Sequence, residues 1–324
     1  MKLTKKLFSL VFVIILLATG LLVYLNYQIL KDYFTGLSYA PSAEMTAVKE
    51  KLSLTDRADL IFKASFPVLE AKEEFNLDCD SHDSEISVLG CFTNEKIYVY
   101  DIKSSELSGI IESTTAHELL HAIWFRLSGA EKAALTPLLE SVYDENVESL
   151  KDTLENYEAE DRLDELYVRV GTQIPSLPEE LEVHYQKYFE NRASLVEFYE
   201  NYIAPFNELK AKIDALEKEL ESLKTEIDSE TAEYESRAEK FNSDVYNFNA
   251  CANTVNCYTE FAFYARRAEL VAEEKNLNLM FENLDLKVSE YNTKVEEYNK
   301  NVLKSNNLQK VINSNSVPSL ETEN

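Results

Sequence analysis

The sequence is organised around Thr115-Ala116-His117-Glu118-Leu119-Leu120-His121-Ala122, within a segment from about Ser108 to Leu127 that is predicted to be helical. Two histidines four residues apart lie on one face of a helix, so both imidazoles can reach one ion. The chain has only 4 histidines, so an accidental pair with this spacing and an intervening glutamate is rare. We therefore predict that His117 and His121 bind a metal.

Zinc is the metal that this pattern indicates, because zinc accepts neutral imidazole nitrogen and leaves a coordination position for water. Glu118 lies between the two histidines, where it can take a proton from that water as the water attacks a carbonyl. The alternative is a pair of ordinary core histidines, since most neighbouring residues are apolar. Two buried imidazoles would still need polar partners, and a metal supplies one.

A catalytic zinc site needs a third protein ligand. The remaining histidines, His82 and His184, are isolated in the sequence, and His82 is predicted to be a solvated loop residue among acidic neighbours. A carboxylate is therefore expected. The downstream candidates are Glu145, Glu148, Glu155, Glu158, Glu160, Asp161, Asp164 and Glu165.

The histidine motif resembles that of the zincin metallopeptidases. In addition, Asp164-Glu165-Leu166-Tyr167-Val168 is similar to the Asn-Glu-x-Phe-Ala segment of gluzincin peptidases, with Asp for Asn, Tyr for Phe and Val for Ala. This resemblance implies that Glu165 is the third zinc ligand and that Asp164 orients a histidine. Glu160, which fits another gluzincin-like spacing, remains the alternative ligand. The metzincin form of the motif is absent.

More loosely, the chain is similar to bacterial membrane-anchored proteins that carry the same helix and a coiled-coil tail. The similar stretches include Leu89-Gly90-Cys91-Phe92 and residues 181–192, and together they span about residues 54–192. The similarity implies peptide-bond hydrolysis and a small sheet whose last strand lines the cleft. It also implies a histidine or tyrosine that stabilises the oxyanion, for which His184 is the candidate. An ordinary surface or interhelix histidine is the alternative.

Composition agrees with a mainly α chain that has a small sheet. The 324 residues include 58 Asp+Glu and 32 Lys+Arg, a net charge of −26, which excludes nucleic acid as a partner because duplex binding needs a basic surface. The 6 Gly and 7 Pro disfavour a turn-dense β-sandwich or a Gly-rich nucleotide-binding fold.

The N-terminus predicts a membrane anchor. Three lysines precede residues 7–30, an uncharged stretch long enough to cross a bilayer as a helix. A cleaved signal peptide is the alternative, but the apolar run is longer than usual and no A-x-A pattern follows it. The lysines favour an N-in orientation in the cell membrane, with the bulk of the chain extracytoplasmic.

The cysteines agree with an exported chain. Cys79 and Cys91 lie close to each other in the sequence, and so do Cys251 and Cys257. An even count in such a chain predicts two local disulfides, whereas a zinc cluster would need C-x-x-C spacing.

Two β-like runs, 86–92 and 97–102, predict a hairpin around the four residues 93–96. Ser128-Gly129 is predicted to end the histidine helix, with Ser128 and Glu131 forming a capping box for the next one.

Beyond Pro205 the apolar residues recur every three or four positions, as in a coiled coil. We therefore expect four parts: an anchor (1–34), a zincin-like domain (35–204), an antiparallel coiled-coil hairpin (205–312) and a disordered tail (313–324). The hairpin is predicted to be a stalk, or else an arm that binds a partner or self-associates. The expected seam positions are Leu209, Ile213, Leu216, Leu220, Leu223, Ile227, Thr231, Tyr234, Ala238, Phe241, Val245 and Phe248, then Phe281, Leu284, Val288, Tyr291, Val295, Tyr298 and Val302.

The function favoured by the sequence is a membrane-anchored, extracytoplasmic zinc metallopeptidase that acts on peptide or protein substrates. The first alternative is an inactive structural or interaction protein with a zincin-like head, and the second is a coiled-coil adaptor of an envelope machine. Glu118 favours catalysis, because a chain that had lost activity would often have lost its general base while keeping the histidines.

Overall fold

The computed structural model describes residues 2–79, 89–155, 157 and 159–314, and for residues 2–11, 13, 152, 159 and 160 it describes the backbone alone. These residues are mainly helical with a small three-stranded sheet, as predicted. The helices are α1 Lys2–Leu25, α2 Tyr27–Gly36, α3 Ala43–Leu52, α4 Asp56–Ala64, α5 Lys72–Asp78, α6 Ile110–Arg126, α7 Gly129–Glu145, α8 Val147–Leu154, α9 Ala159–Gln173, α10 Glu179–Tyr185, α11 Arg192–Ala252 and α12 Glu260–Ile312. The strands are β1 Val68–Glu70, β2 Gly90–Thr93 and β3 Lys96–Tyr100.

The sheet has the order β1-β3-β2, with β3 parallel to β1 and antiparallel to β2. The predicted hairpin is present, but its turn has two residues instead of four. Asn94 and Glu95 connect the strands with φ of 50° and 61°. Two left-handed residues match the right-handed twist of the flanking strands, so the turn can be this short. Residues 86–88 of the predicted strand lie outside the described residues.

Helix α6 runs through the core of the N-terminal part of the chain. It packs against both strands of the hairpin and against α3, α4 and α9. Since it is enclosed by other elements, most apolar residues along it are buried, whereas Phe125 is 52% exposed. The fully buried members are Ala116, Leu119, Leu120, Ala122 and Ile123.

The helix ends at Arg126, within one residue of the predicted end at Leu127, but the prediction that Gly129 stops it is wrong. Leu127 follows the last helical residue in an extended conformation, and Gly129 is the first residue of α7. The predicted capping box between Ser128 and Glu131 is confirmed. Because Ser128 accepts from the Glu131 backbone and Glu131 from that of Ser128, this pair starts α7, and the glycine is not needed as a stop.

Both predicted disulfides are confirmed. Cys79 at the end of α5 is bonded to Cys91 in β2, and Cys251 to Cys257 between the two long helices. The chain divides into two compact units, one comprising the described residues up to Pro205 and from Gln309 onwards, the other Phe206–Leu308. Pro205, expected near a domain boundary, lies inside α11.

In the second unit, α11 and α12 are joined by ion pairs whose residue numbers rise on one helix as they fall on the other. Arg237 pairs with Glu273 at 3.0 Å and Lys294 with Glu219 at 2.7 Å. The two helices are therefore antiparallel within Phe206–Leu308. All twelve predicted seam positions of α11 are buried or half-buried.

The predicted seam of α12 is partly wrong, since Phe281 is 58% exposed and Val288 is 41% exposed. The neighbouring Met280 and Lys287 are less exposed and take the inward positions. Lys287 can do so because its ammonium reaches Glu230 at 2.6 Å while its aliphatic stem packs inward.

Among the described residues, no one helix combines the length and apolar character needed to cross a bilayer, whereas Ile14–Leu25 and Tyr27–Gly36 meet both requirements as a pair bent by 67°.

Candidate metal centre

The candidate centre lies where α6 packs against α9. Buried apolar side chains of both helices belong to one core, among them Leu119 of α6 and Leu166 of α9. Gly171 permits a close approach, because a Cβ at that position would lie 2.7 Å from both Leu120 Cδ1 and the ring of Tyr185. A side chain there would push α9 away from its neighbours, so this glycine helps to set the spacing of the site.

Three side chains meet at this junction, His117 and His121 from α6 and Glu165 from α9. The two histidine Nε2 atoms are 3.2 Å apart. Oε2 of Glu165 lies 3.7 Å from Nε2 of His117 and 3.4 Å from Nε2 of His121. Within the described part of the chain, this is the one His/Cys/Asp/Glu group arranged so that it could hold a metal ion.

Each outer side of this group is held by a further residue. Oδ1 of Asp164 lies 2.8 Å from Nδ1 of His121, and since an ionised carboxylate can only accept, Nδ1 is the donor. With Nδ1 donating to Asp164, Nε2 of His121 faces the other ligands and is the nitrogen that a metal would bind in the neutral ring. On α9, Nε of Arg169 lies 2.5 Å from Oε1 of Glu165, so the second oxygen, Oε2, is the one directed at the histidines.

The electrostatics of the group favour a cation. Burial alone would lower the pKa of His121, but hydrogen bonds to Asp164 and Glu165 outweigh it and raise that pKa well above its ordinary value. Burial alone would raise the pKa of Glu165, but His117, His121 and Arg169 hold it well below its usual range. The carboxylates thus stabilise positive charge where the two rings meet.

The group is closed on one side and open on the other. The Glu165 side chain is 3% exposed, whereas those of His117 and His121 are 22% and 19% exposed. A structural zinc site is closed by four protein ligands, while a catalytic one has three and an open position. The partly exposed imidazoles match the second kind.

Glu118 is buried at 5% exposure and lies against the backbone of β2. A Cβ added to Gly90 would lie 2.8 Å from Glu118 Cγ and 2.9 Å from its Oε1. The edge strand therefore packs closely against this side chain, and any side chain at position 90 would crowd both Glu118 and Thr114, whose Cγ2 would lie 2.7 Å from the added Cβ. The sequence contained no signal for this role of Gly90, because the contact joins residues 28 positions apart in the numbering.

His184, the predicted oxyanion donor, lies in a buried aromatic cluster. Its Nε2 is 3.0 Å from the hydroxyl of Tyr167, and its ring contacts those of Tyr185 and Tyr188. Burial, with the nearby charges of Lys187 and Arg57, lowers its pKa to about 4. Among the described residues, His184 makes no contact with His117, His121 or Glu165. The geometry therefore does not favour the oxyanion role, which stays a prediction.

Two other residues considered from the sequence cannot be placed. The side chain of Glu160, the alternative ligand, lies outside the described residues, and so does the whole of His82. Arg169 was not anticipated as a partner of Glu165, although its position one helical turn later was a usable signal.

Comparison of the chain with protein-family models, with curated proteins and with solved structures finds no match.

Proposed function

We propose that this protein is a zinc-dependent metallopeptidase that hydrolyses peptide bonds, with His117, His121 and Glu165 as the zinc ligands. The observation that carries the proposal is the triangle of ligand atoms with sides of 3.2, 3.4 and 3.7 Å. Tetrahedral zinc with bonds of about 2.0–2.1 Å has ligands about 3.3 Å apart. The 3.2 and 3.4 Å sides match this spacing and the 3.7 Å side exceeds it by about 0.4 Å, so small side-chain adjustments would bring the three atoms onto one face of such a tetrahedron.

The chemistry of the donor set also supports zinc. Two imidazole nitrogens and one carboxylate oxygen form a set used by catalytic zinc sites, and neither described disulfide offers a free thiolate. When bound, zinc lowers the pKa of water and polarises the carbonyl of the scissile bond.

The residues of the chain have distinct roles in this proposal. Asp164 holds His121 in the tautomer that presents Nε2, and Arg169 holds Glu165 with one oxygen directed at the histidines. Glu118, fixed beneath Gly90, accepts the proton of the attacking water on its carboxylate and passes it to the leaving amine. A general base in this position contributes about 10²–10⁴-fold to the rate.

The proposal includes a membrane location. The uncharged residues 7–30 support an N-terminal anchor with the head on the extracytoplasmic side, and the two disulfides suit an oxidising compartment. The antiparallel arms of the second unit form a coiled coil that serves as a stalk or binds a protein partner.

Metal removal tests the proposed activity. The full chain in detergent is dialysed against a chelator and assayed for cleavage of a fluorescently labelled unfolded protein, with metal content measured in parallel. We expect cleavage to disappear with the metal and to return with one equivalent of zinc per chain. Cleavage that persists after complete metal removal would contradict the proposal, and zinc binding without cleavage would favour the inactive structural protein.

The contact between Gly90 and Glu118 supplies a second test. In Gly90→Ala the new methyl group would lie 2.7 Å from Thr114 Cγ2 and 2.8 Å from Glu118 Cγ. We expect the Glu118 carboxylate to move in response, and a shift of about 1 Å in a catalytic group can cost about 10²-fold in rate. We therefore expect kcat to fall by about that factor while zinc content stays at that of the wild type. Gly129→Ala is the matched control, because nothing lies within 4 Å of a Cβ there. Full turnover by Gly90→Ala would show that Glu118 is not held by β2.

A further inference from the structure

Helix α2 is amphipathic, but its polar face is directed at the protein and its apolar face at the surroundings, the opposite of an ordinary surface helix. Its polar residues face the protein: Asp32 is 4% exposed, and Gln28, Lys31 and Thr35 are half-buried. Its large apolar residues face outwards. These are Tyr27 at 63%, Ile29 at 57%, Leu30 at 37%, Tyr33 at 53%, Phe34 at 67% and the adjoining Leu37 at 66% exposure.

The inner face is held by ion pairs that fix its orientation. The Asp32 carboxylate accepts three hydrogen bonds of 3.0–3.1 Å from the guanidinium of Arg126, at the end of α6. Gln28 donates to the same carboxylate at 3.0 Å, and Lys31 reaches Glu95 in the hairpin turn at 2.6 Å. Both side chains of the Asp32–Arg126 pair are buried. Rotating α2 about its axis to bury its apolar face would break this pair and leave a buried charge without its partner, which is strongly unfavourable.

From this arrangement we propose that the outer face of α2 lies in the interfacial layer of a phospholipid bilayer. An exposed apolar surface of this kind marks a contact with a membrane or a protein. The bilayer is favoured because α2 follows the exposed apolar residues of α1 after one intervening residue, Asn26, at a bend of 67°. If α1 crosses the bilayer, a helix bent this far lies close to its plane.

The chemistry of the face matches the zone between headgroups and acyl chains. Tyrosine and phenylalanine with leucine and isoleucine suit a layer that is apolar on one side and wet on the other. Lys31 is the one basic residue of α2 and is paired with Glu95, so the attraction is apolar and does not require anionic lipid. The inference rests on the anchor in the proposed function but not on the zinc site.

Quenching by brominated lipid tests this orientation. The full chain is reconstituted into phosphatidylcholine vesicles with or without dibrominated acyl chains, and Phe34→Trp is compared with wild type, whose Trp124 is buried. At a depth of about 5–10 Å the added emission should fall to about half or less. Leu77→Trp, at an apolar position on α5 that is more exposed (82% against 67% for Phe34), is the matched control and should not be quenched.

A third reporter, Leu22→Trp in α1, separates the outcomes. If Leu22→Trp is quenched and Phe34→Trp is not, the anchor stands and the interfacial placement of α2 is overturned. Blue-shifted but unquenched emission of Phe34→Trp would overturn it in favour of a protein surface, such as a second copy. Quenching of Leu77→Trp as well would show nonspecific adhesion and also overturn it. If no reporter is quenched, the anchor fails too, while the zinc measurements are unaffected.

Discussion

Glu118→Gln is expected to lower kcat by about 10²–10⁴-fold, the contribution of a positioned general base, while zinc binding remains at one ion per chain. The amide has nearly the size of the carboxylate, so it fits against β2 at Gly90 as the wild-type side chain does. It cannot accept a proton from water, and proton transfer is the step that we assign to this residue. Measurement of kcat at saturating substrate, with metal analysis of the same sample, checks the expectation.

Glu112→Gln is the matched control for this variant. Glu112 lies on the same helix, is also buried at 8% exposure and is paired with Lys51 at 2.5 Å. It has no role in the proposed chemistry, so its loss should leave kcat within a few-fold of wild type. A Glu118→Gln enzyme that retains its turnover would assign the base to another group, and loss of activity in both variants would indicate a general defect of α6.

Local patterns carried much of the fold prediction. The histidine spacing, the capping box at Ser128 and the seam of α11 each depend on residues within one or two helical turns, where helical geometry fixes which side chains are neighbours. The disulfides could also be predicted from the sequence, because each joins cysteines that are close in sequence. The histidine-orienting role of Asp164, in contrast, was implied only by the resemblance to the gluzincin segment, and its carboxylate lies 2.8 Å from His121 Nδ1.

Contacts between distant segments could not be predicted in this way. Gly90 gave no sign that its missing side chain makes room for Glu118. Hydrophobicity alone also did not show that Asp32, which follows the apolar residues 27–30, is bound to Arg126. In α12, Val288 was chosen for the seam because it is apolar, but ion pairs with α11 place Lys287 inward instead. In each case the polarity of a residue was interpreted without knowledge of the residue that it contacts in the folded chain.

Zinc affinity should fall in a graded way when residues of the site are replaced. His121→Ala removes a ligand, and Glu165→Gln replaces an anionic ligand with a neutral amide, so both are expected to lose stoichiometric zinc. Asp164→Asn keeps all three ligand atoms and removes only the orienting carboxylate, which typically weakens binding about 10–100-fold. Competition with a chromophoric chelator measures all three affinities on one scale.

His184→Gln is the control for this series, because glutamine can still hydrogen-bond to the Tyr167 hydroxyl and no described contact links His184 to the ligands. It should bind zinc as the wild type does, and its turnover also reports on the predicted oxyanion role.

Thermal unfolding without metal must be measured for each variant, since Glu165→Gln leaves the partly buried Arg169 without its anionic partner. If a folded Glu165→Gln retains its zinc, the third ligand lies elsewhere, and Glu160→Gln should then lose the metal. If Asp164→Asn instead loses more affinity than His121→Ala, the carboxylate is itself a ligand and the proposed division of roles is wrong.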